Sequence, residues 1–238
     1  MTRRANPARC RVCRLHETLC ICALVPRLAT RTRVVVVMHE AEARKPTNTG
    51  SLAVRCLTNG ALVALPDRDQ PGAPRARALE LAPDANAVLL FPALDALPLS
   101  RDDGGGARTL VVPDGTWRQA RKMRTRVPGL DALPCVTLPT DAGGASAPTQ
   151  YRLRNEGRPG GLATLEAIAR ALAILEPGGA AVADAMLAVF RVMVERTLWM
   201  RGELRDDEVT GGLPEAALLH DPRGGSAGAG VSATKPRR

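Results

Sequence analysis

The feature that most constrains the fold is a series of short apolar runs separated by segments of helical or loop character. Residues 33–38 (RVVVVM) are apolar and β-branched without a polar face, which is typical of a strand buried on both sides. Similar short runs follow at residues 61–65, 87–91, 109–112 and 135–138. Such strands are covered when helices pack on both sides of a sheet. The sequence therefore predicts an α/β fold with a mostly parallel sheet.

Segments between and after these runs have the apolar spacing of helices. Helices are predicted at residues 48–57, 75–81, 116–126, 165–175 and 182–200. Thr47 is the expected N-cap of the first. Gly178 and Gly179 separate the last two, and the glycines at 104–106 indicate a loop.

The two ends of the chain differ in composition from its centre. Residues 1–30 form a basic, cysteine-rich head, residues 31–201 contain the predicted strands and helices, and residues 202–238 are rich in glycine, alanine, proline and charge. We expect most of the last segment to be a disordered basic tail, because it has little apolar surface to bury. No apolar run approaches the ~20 residues of a membrane span, and none follows the first residues as in a secretory signal. A cytoplasmic protein is therefore expected.

The chain is basic, with 33 Lys and Arg against 24 Asp and Glu, a net charge of +9. This balance is compatible with a polyanionic partner such as nucleic acid. Nearly all of the positive charge is Arg, whose planar guanidinium suits phosphate recognition. A GC-rich genome would enrich Arg as well, so charge alone leaves both explanations open.

Four of the six cysteines lie within thirteen residues, in the pattern C-x2-C-x6-C-x-C. Thiolates are soft anionic ligands, and two close pairs can complete a tetrahedral zinc site. A closed four-cysteine site leaves no position for water, so the zinc is structural. The predicted ligands are Cys10, Cys13, Cys20 and Cys22. Cys56 and Cys135 are interpreted as small buried apolar residues.

Polar clusters stand at strand ends and helix starts, where parallel α/β sheets bind ligands. They are His39-Glu40 with residues 47–50 (TNTG), 114–117 (DGTW), 151–154 (YRLR) and 164–167 (TLEA). Each alone is also explained by helix capping or packing. A basic run after DGTW predicts a positive helix surface, which is more often simply solvated.

In order and spacing, these motifs resemble the DTW-domain family. The resemblance includes the cysteine pattern, His39-x2-Glu42 and the four clusters, over roughly residues 10–176. It implies a SPOUT-like, trefoil-knotted α/β domain that binds S-adenosylmethionine, with the cysteine head as an N-terminal zinc knuckle. Family members of this kind transfer the 3-amino-3-carboxypropyl group of S-adenosylmethionine to a uridine of tRNA. The chain departs from the pattern at Ala163, where Ser is common, and Thr164 is expected to cap the helix instead.

The resemblance also implies site residues, with Asp114 implicated in activity. Cofactor contacts are assigned to Leu110, Asp114, Thr116, Trp117, Leu138, Tyr151, Arg152, Arg154, Thr164 and Glu166. RNA contacts are assigned to His39, Asn48, Arg118, Arg121 and Lys122.

The nucleophile would be N3 of uridine, which is protonated at neutral pH, so a positioned base is useful and Asp114 is the candidate. Its alternative role is to hold the α-ammonium group of the cofactor. Two other functions stay open: a SPOUT-type RNA methyltransferase, against which DGTW argues, and a non-catalytic zinc RNA-binding module, against which Asp114 argues. The position modified, tRNA or rRNA, and monomer or homodimer are also open.

Overall fold

The computed structural model describes residues 8–65, 86–101, 108–139, 148–153 and 161–223, without the side chains of residues 40 and 41. Its strands are β1 Arg33–His39, β2 Ala61–Leu65, β3 Ala87–Leu90, β4 Leu97–Pro98, β5 Thr109–Asp114 and β6 Cys135–Thr137. They form one sheet in the order β2-β1-β5-β3-β6-β4, and every neighbouring pair is parallel. The predicted α/β fold with a parallel sheet is confirmed, and the knot stays a prediction.

The helices are α1 Glu40–Ala43, α2 Thr49–Cys56, α3 Trp117–Arg126, α4 Thr164–Leu175, α5 Gly179–Met200 and α6 Glu215–Leu219. Four of them were predicted to within three residues, and the predicted break before α5 is confirmed by Gly178, whose φ is +70°. The short elements α1, α6 and β4 were not predicted, because they contain too few residues to show a period. The predicted helix at 75–81 and the loop at 104–106 lie outside the described residues. Within the described part of the chain, no helix has the length and apolar character needed to cross a membrane.

Alternate residues of the central strands bury their side chains on opposite sides of the sheet. In β1, Val34, Val36 and Met38 join the larger apolar cluster, together with residues of α2, α4 and α5. Val35 and Val37 join a second cluster with residues of α3. The burial of Cys56 in the first cluster and of Cys135 in the second confirms their interpretation as apolar core residues.

The neighbouring strands β1 and β5 are followed by helices on opposite sides of the sheet. After β1, helix α2 packs on the side of α4 and α5, whereas after β5 helix α3 packs on the other side. The carboxyl ends of two such strands border a crevice, which is the usual ligand site of an open parallel sheet. Met38 of β1 pairs with Asp114 of β5 at this edge.

The segment after α5 was expected to be disordered, and this expectation is wrong for residues 202–223. Val209 and Ala217 are buried in a small apolar cluster with Leu19 of the head and Trp199 of α5. The segment is ordered because its few apolar residues complete an existing surface and need not form a core of their own. Residues 224–238 lie outside the described residues.

Candidate functional site

Asp114 ends β5 at the crevice between β1 and β5, and its side chain is only 6% exposed. One carboxylate oxygen accepts a hydrogen bond from Nδ2 of Asn48 at 2.6 Å. The other accepts one from Oγ1 of Thr164 at 2.5 Å. Asn48 is the N-cap of α2 and Thr164 is the first residue of α4. The starts of two helices, where the helix dipole favours negative charge, therefore meet at this carboxylate.

Asn48 connects the carboxylate to the backbone of α2. Its Oδ1 accepts a hydrogen bond from the backbone N–H of Ser51 at 2.7 Å, so Asn48 is the N-cap where Thr47 was expected. Asn is the stronger N-cap residue. The backbone carbonyl of Thr47 accepts a hydrogen bond from the hydroxyl of Tyr151. The amide of Asn48 is buried and bonded on both sides within the chain, and its assignment to RNA binding stays a prediction.

Gly50, in the first turn of α2, lies against the same carboxylate. A Cβ atom at this position would be 2.6 Å from Oδ2 of Asp114 and 3.0 Å from Cγ1 of Val36. A side chain of any size would displace Asp114 or the helix. Gly50 was predicted only as a member of the TNTG cluster, without a role of its own, because a glycine has no side chain that marks a site.

Glu166, in the first turn of α4, is 1% exposed and organises the segment before the helix. Its carboxylate accepts hydrogen bonds from the hydroxyl of Thr149 at 2.6 Å and from the backbone N–H groups of Gln150 at 2.7 Å and Ala163 at 2.9 Å. Glu166 thereby caps the helix start where Ala163 offers no side-chain acceptor. The expectation that Thr164 caps the helix is wrong, because its hydroxyl donates to Asp114.

Tyr151 closes a ring of contacts around the site. Its hydroxyl donates to the backbone carbonyl of Thr47 at 3.0 Å, and its ring stacks on Phe190 of α5 with centroids 6.0 Å apart. Thr47 is the neighbour of Asn48, which donates to Asp114. On the other side, Tyr151 follows Gln150, whose backbone N–H donates to Glu166 of α4. Helix α4 begins at Thr164, which also donates to Asp114, so the contacts form a closed circle. The structure thus brings the TNTG, DGTW and TLEA clusters, and residues 151–153 of the YRLR cluster, together at one edge of the sheet.

The residues that follow Asp114 begin α3. The Thr116 hydroxyl accepts the backbone N–H of Gln119 at 3.3 Å, and the Gln119 side chain accepts the N–H of Thr116 at 2.8 Å, a capping box. Trp117 is partly buried against Phe91, with ring centroids 6.4 Å apart. Thr116 and Trp117 therefore have structural roles in addition to their predicted cofactor contacts.

The basic residues of α3 predicted to bind RNA, Arg118, Arg121 and Lys122, are all exposed. Arg124 on the same helix is paired with Asp95 at 2.8 Å and contributes less free charge. His39 is partly buried at the carboxyl end of β1, one residue after the partner of Asp114.

Two leucines assigned to the cofactor differ in position. Leu138 is partly buried just after β6, at the carboxyl edge of the sheet. Leu110 is fully buried inside β5 and four residues before Asp114, roughly 13 Å along the strand. Leu110 therefore lies near the start of the strand and not at the ligand edge, and its assignment to the cofactor stays a prediction.

A cavity of about 260 Å³ lies between the YRLR segment and α5. Its lining residues are Gln150, Arg152, Arg191, Val194 and Glu195. Arg152 and Arg191 are both exposed, so two guanidinium groups border one opening beside the segment that Glu166 holds. Arg191 was not predicted, because one Arg on a long helix carries no motif. Arg154 lies outside the described residues.

The four cysteines of the head converge as predicted. The Sγ atoms all lie within 4.8 Å of one another, with Cys10–Cys22 and Cys13–Cys20 separations of 3.7 Å and a Cys10–Cys20 separation of 3.5 Å. A tetrahedral zinc ion with Zn–S bonds of ~2.3 Å requires S···S separations of ~3.8 Å. The donor set therefore fits a structural zinc ion without rearrangement.

The acidities of these thiols differ within the cluster. Backbone N–H groups of Cys13 and Val12 lower the pKa of Cys10 to about 6, whereas burial raises the pKa of Cys20 to about 12. Burial also raises the pKa of Cys13. Four thiolates so close together need a cation to hold their charge, which zinc binding supplies.

Comparison with known proteins places this arrangement in a wider group. Residues 7–198 match the sequence profile of the DTW domain. The tRNA-uridine aminocarboxypropyltransferase 2 of Drosophila melanogaster is 30% identical over 172 residues, 71% of this chain and 66% of that protein. The tRNA-uridine aminocarboxypropyltransferase A of Arabidopsis thaliana is 26% identical, over 78% of this chain and 79% of that protein.

A third relative, tRNA-uridine aminocarboxypropyltransferase 2 of Mus musculus, is 31% identical over 70% of this chain, but over only 56% of its own length. The chain thus spans between about half and four fifths of these relatives. Among solved structures, the SAM-dependent rRNA:acp-transferase Tsr3 from Vulcanisaeta distributa aligns with a TM-score of 0.40 and 20% identity, covering 82% of this chain and 89% of that one.

Proposed function

Because the chain belongs to the DTW domain family, we propose that it transfers the 3-amino-3-carboxypropyl group of S-adenosylmethionine to N3 of a uridine in tRNA. The observation that carries the proposal is the buried carboxylate of Asp114, fixed between two helix starts at the ligand edge of the sheet. The names of the three relatives support the same reaction and the same class of RNA.

The proposed reaction forms one bond and breaks one bond. S-adenosylmethionine supplies the aminocarboxypropyl group, because its sulfonium makes methylthioadenosine a neutral leaving group. The new bond joins uridine N3 to the γ-carbon, the γ-carbon–sulfur bond breaks with its electron pair moving to sulfur, and the N3 proton passes to a base. Orientation decides that the γ-carbon and not the methyl group reacts, so the site must hold the amino acid end rigidly.

Asp114 is suited to either of two roles in this reaction. Asn48 and Thr164 each donate to a different oxygen, and a carboxylate has about four lone-pair positions. The two donors therefore fix the plane of the carboxylate, which in the reaction would also accept a hydrogen bond from a donor group of one of the substrates. That donor would be the N3–H of uridine, with Asp114 as general base, or the α-ammonium group of the donor, with Asp114 as anchor.

The proposed RNA surface has two parts. The exposed side chains of Arg118, Arg121 and Lys122 form a basic face on α3, directly after the DGTW segment. Arg152 and Arg191 border the cavity beside α5. Phosphate groups on both sides of the target uridine would place its base near Asp114. A tRNA substrate also favours the cytoplasm as the place of action.

The test is mass spectrometry of nucleosides from tRNA incubated with the purified protein and S-adenosylmethionine. We expect aminocarboxypropyl-uridine and released methylthioadenosine, and we expect Asp114→Asn to reduce product formation by about 100-fold or more. Asp131→Asn, which changes an exposed carboxylate, is the matched control and should retain activity.

Other outcomes of this assay would change the proposal. A methylated uridine would indicate a methyltransferase. Tight tRNA binding without any product, in the presence of bound S-adenosylmethionine, would contradict the transferase and indicate a binding module. Full activity of folded Asp114→Asn would remove Asp114 from the reaction.

A further inference from the structure

We infer that Arg55 and Arg196 are the counter-charges of the zinc site and connect it to helices α2 and α5. A zinc ion held by four thiolates carries a net charge of about −2. An anion of this kind, partly buried, needs compensating positive charge close by. The inference is independent of the transferase reaction, since it concerns only the head and the two helices that support it.

Arg55, near the end of α2, contacts the cluster directly. Its Nη2 donates to Sγ of Cys22 at 3.3 Å, within the usual range for hydrogen bonds to sulfur. Within the described residues, this guanidinium makes no ion pair with a carboxylate. Its charge is therefore directed to the thiolate cluster rather than to an acidic side chain.

Arg196, near the end of α5, contacts the backbone of the cysteine head. It is only 7% exposed, and its Nη1 donates to the backbone carbonyls of Cys20 at 2.8 Å and Leu19 at 3.3 Å. Its buried Nε has no hydrogen-bond partner among the described residues.

A buried guanidinium without an acidic partner is costly unless an anion lies near it. No carboxylate pairs with Arg196 in the described part of the chain, and its guanidinium lies against the backbone of Cys20, one of the four predicted zinc ligands. The zinc–thiolate group supplies the missing anion. Together, the two arginines and a zinc–thiolate site with a charge of about −2 are electrically neutral. This neutrality explains why the Arg196 guanidinium can be buried beside the head of a chain that is already basic.

The two arginines also explain why the head is fixed to the fold. Each belongs to a long-range contact: Cys22 and Arg55 are 33 positions apart in the sequence, and Cys20 and Arg196 are 176 positions apart. Asn48, the partner of Asp114, is the N-cap of α2, so the zinc site supports the helix that positions the Asp114 carboxylate.

The test measures zinc affinity by competition with a chromogenic chelator, in the full chain without RNA or S-adenosylmethionine. We expect Arg55→Met and Arg196→Met each to weaken zinc binding by about 10-fold or more, as outer-sphere partners of zinc sites do. Arg191→Met changes an exposed Arg on the same helix as Arg196 and should leave the zinc affinity unchanged.

Arg196→Lys retains the positive charge and serves as a second variant in case Arg196→Met misfolds. Its zinc affinity should lie between that of the unmodified protein and that of Arg196→Met. Arg55 is partly exposed, so Arg55→Met should fold in any case. Zinc affinities of Arg55→Met and of folded Arg196→Met within twofold of the unmodified protein would overturn the inference. Loss of thermal stability without loss of zinc affinity would do the same, because it would indicate packing alone.

Discussion

Gly50 and Asp114 illustrate how much of the site depends on single atoms. A methyl group added at Gly50 would stand 2.6 Å from the Asp114 carboxylate, closer than real Cβ contacts allow. We expect Gly50→Ala to reduce transferase activity by about 100-fold, because a displacement of ~1 Å at a reacting group costs about that much. Steady-state product formation, measured on protein shown to be folded, is the readout.

The matched control for this change is Gly60→Ala. A Cβ atom at Gly60 would be 2.8 Å from the carbonyl oxygen of Val54, a comparable clash away from Asp114. Both variants should lose about 1–3 kcal/mol of stability. Equal activity losses in the two variants would show that general destabilisation, and not the carboxylate, explains the effect.

Single residues were predictable where they belonged to a motif. Asp114, Tyr151 and Glu166 were recognised in this way, and all three take part in the ring of contacts. Arg55 and Arg191 were not recognised, because their partners lie in other segments of the chain and no local pattern marks them. The sequence predicted Thr164 as the cap of α4, but Glu166 has this role and Thr164 donates to Asp114. This difference was missed for the same reason, because it depends on Asp114, which is distant in the sequence.

At the scale of elements, α4 is held by a glutamate at each end. Glu166 binds the segment before the helix, whereas Glu176 at its C-cap accepts the backbone N–H groups of Arg31 at 2.9 Å and Thr32 at 2.7 Å. We expect Glu166→Gln to lose about 1–3 kcal/mol, because an amide turns donors toward buried N–H groups. Amide hydrogen exchange of Gln150 should become faster.

Glu176→Gln tests the same chemistry at the far end of the helix. It should also reduce stability, but hydrogen exchange at Gln150 should stay as in the unmodified protein. If both variants accelerate exchange at Gln150 equally, the helix unfolds as one unit and Glu166 has no local role.

Buried strands were the most predictable elements, since both faces of β1 and β5 are covered and their sequences are continuously apolar. Strand β4 is a two-residue edge strand with exposed side chains, so it has no continuous apolar run that would predict a strand. Helix α6 is five residues long and depends on a surface that other segments provide.

At the scale of the whole molecule, the head, α5 and the segment after α5 share one apolar cluster. Ala217 of α6 is fully buried in it, whereas its neighbour Leu218 is 55% exposed. We expect Ala217→Glu to lower the Tm by about 10 °C, because it places an unpaired charge against Leu19 and Trp199. Thermal unfolding should be almost unchanged in Leu218→Glu, and a similar Tm in both variants would mean that α6 is detached in solution.

The ring of contacts around Asp114 has a consequence for the order of folding. Its hydrogen bonds join residues 50, 66 and 104 positions apart, within a sheet whose neighbours are all parallel. Contacts of such sequence separation form late and slowly. During synthesis, Asp114 emerges from the ribosome well before Thr164 and Glu166, so the nascent chain carries an incomplete site. Catalytic competence should therefore appear only after nearly the whole domain has been made, and the gain of activity should coincide with the last folding step.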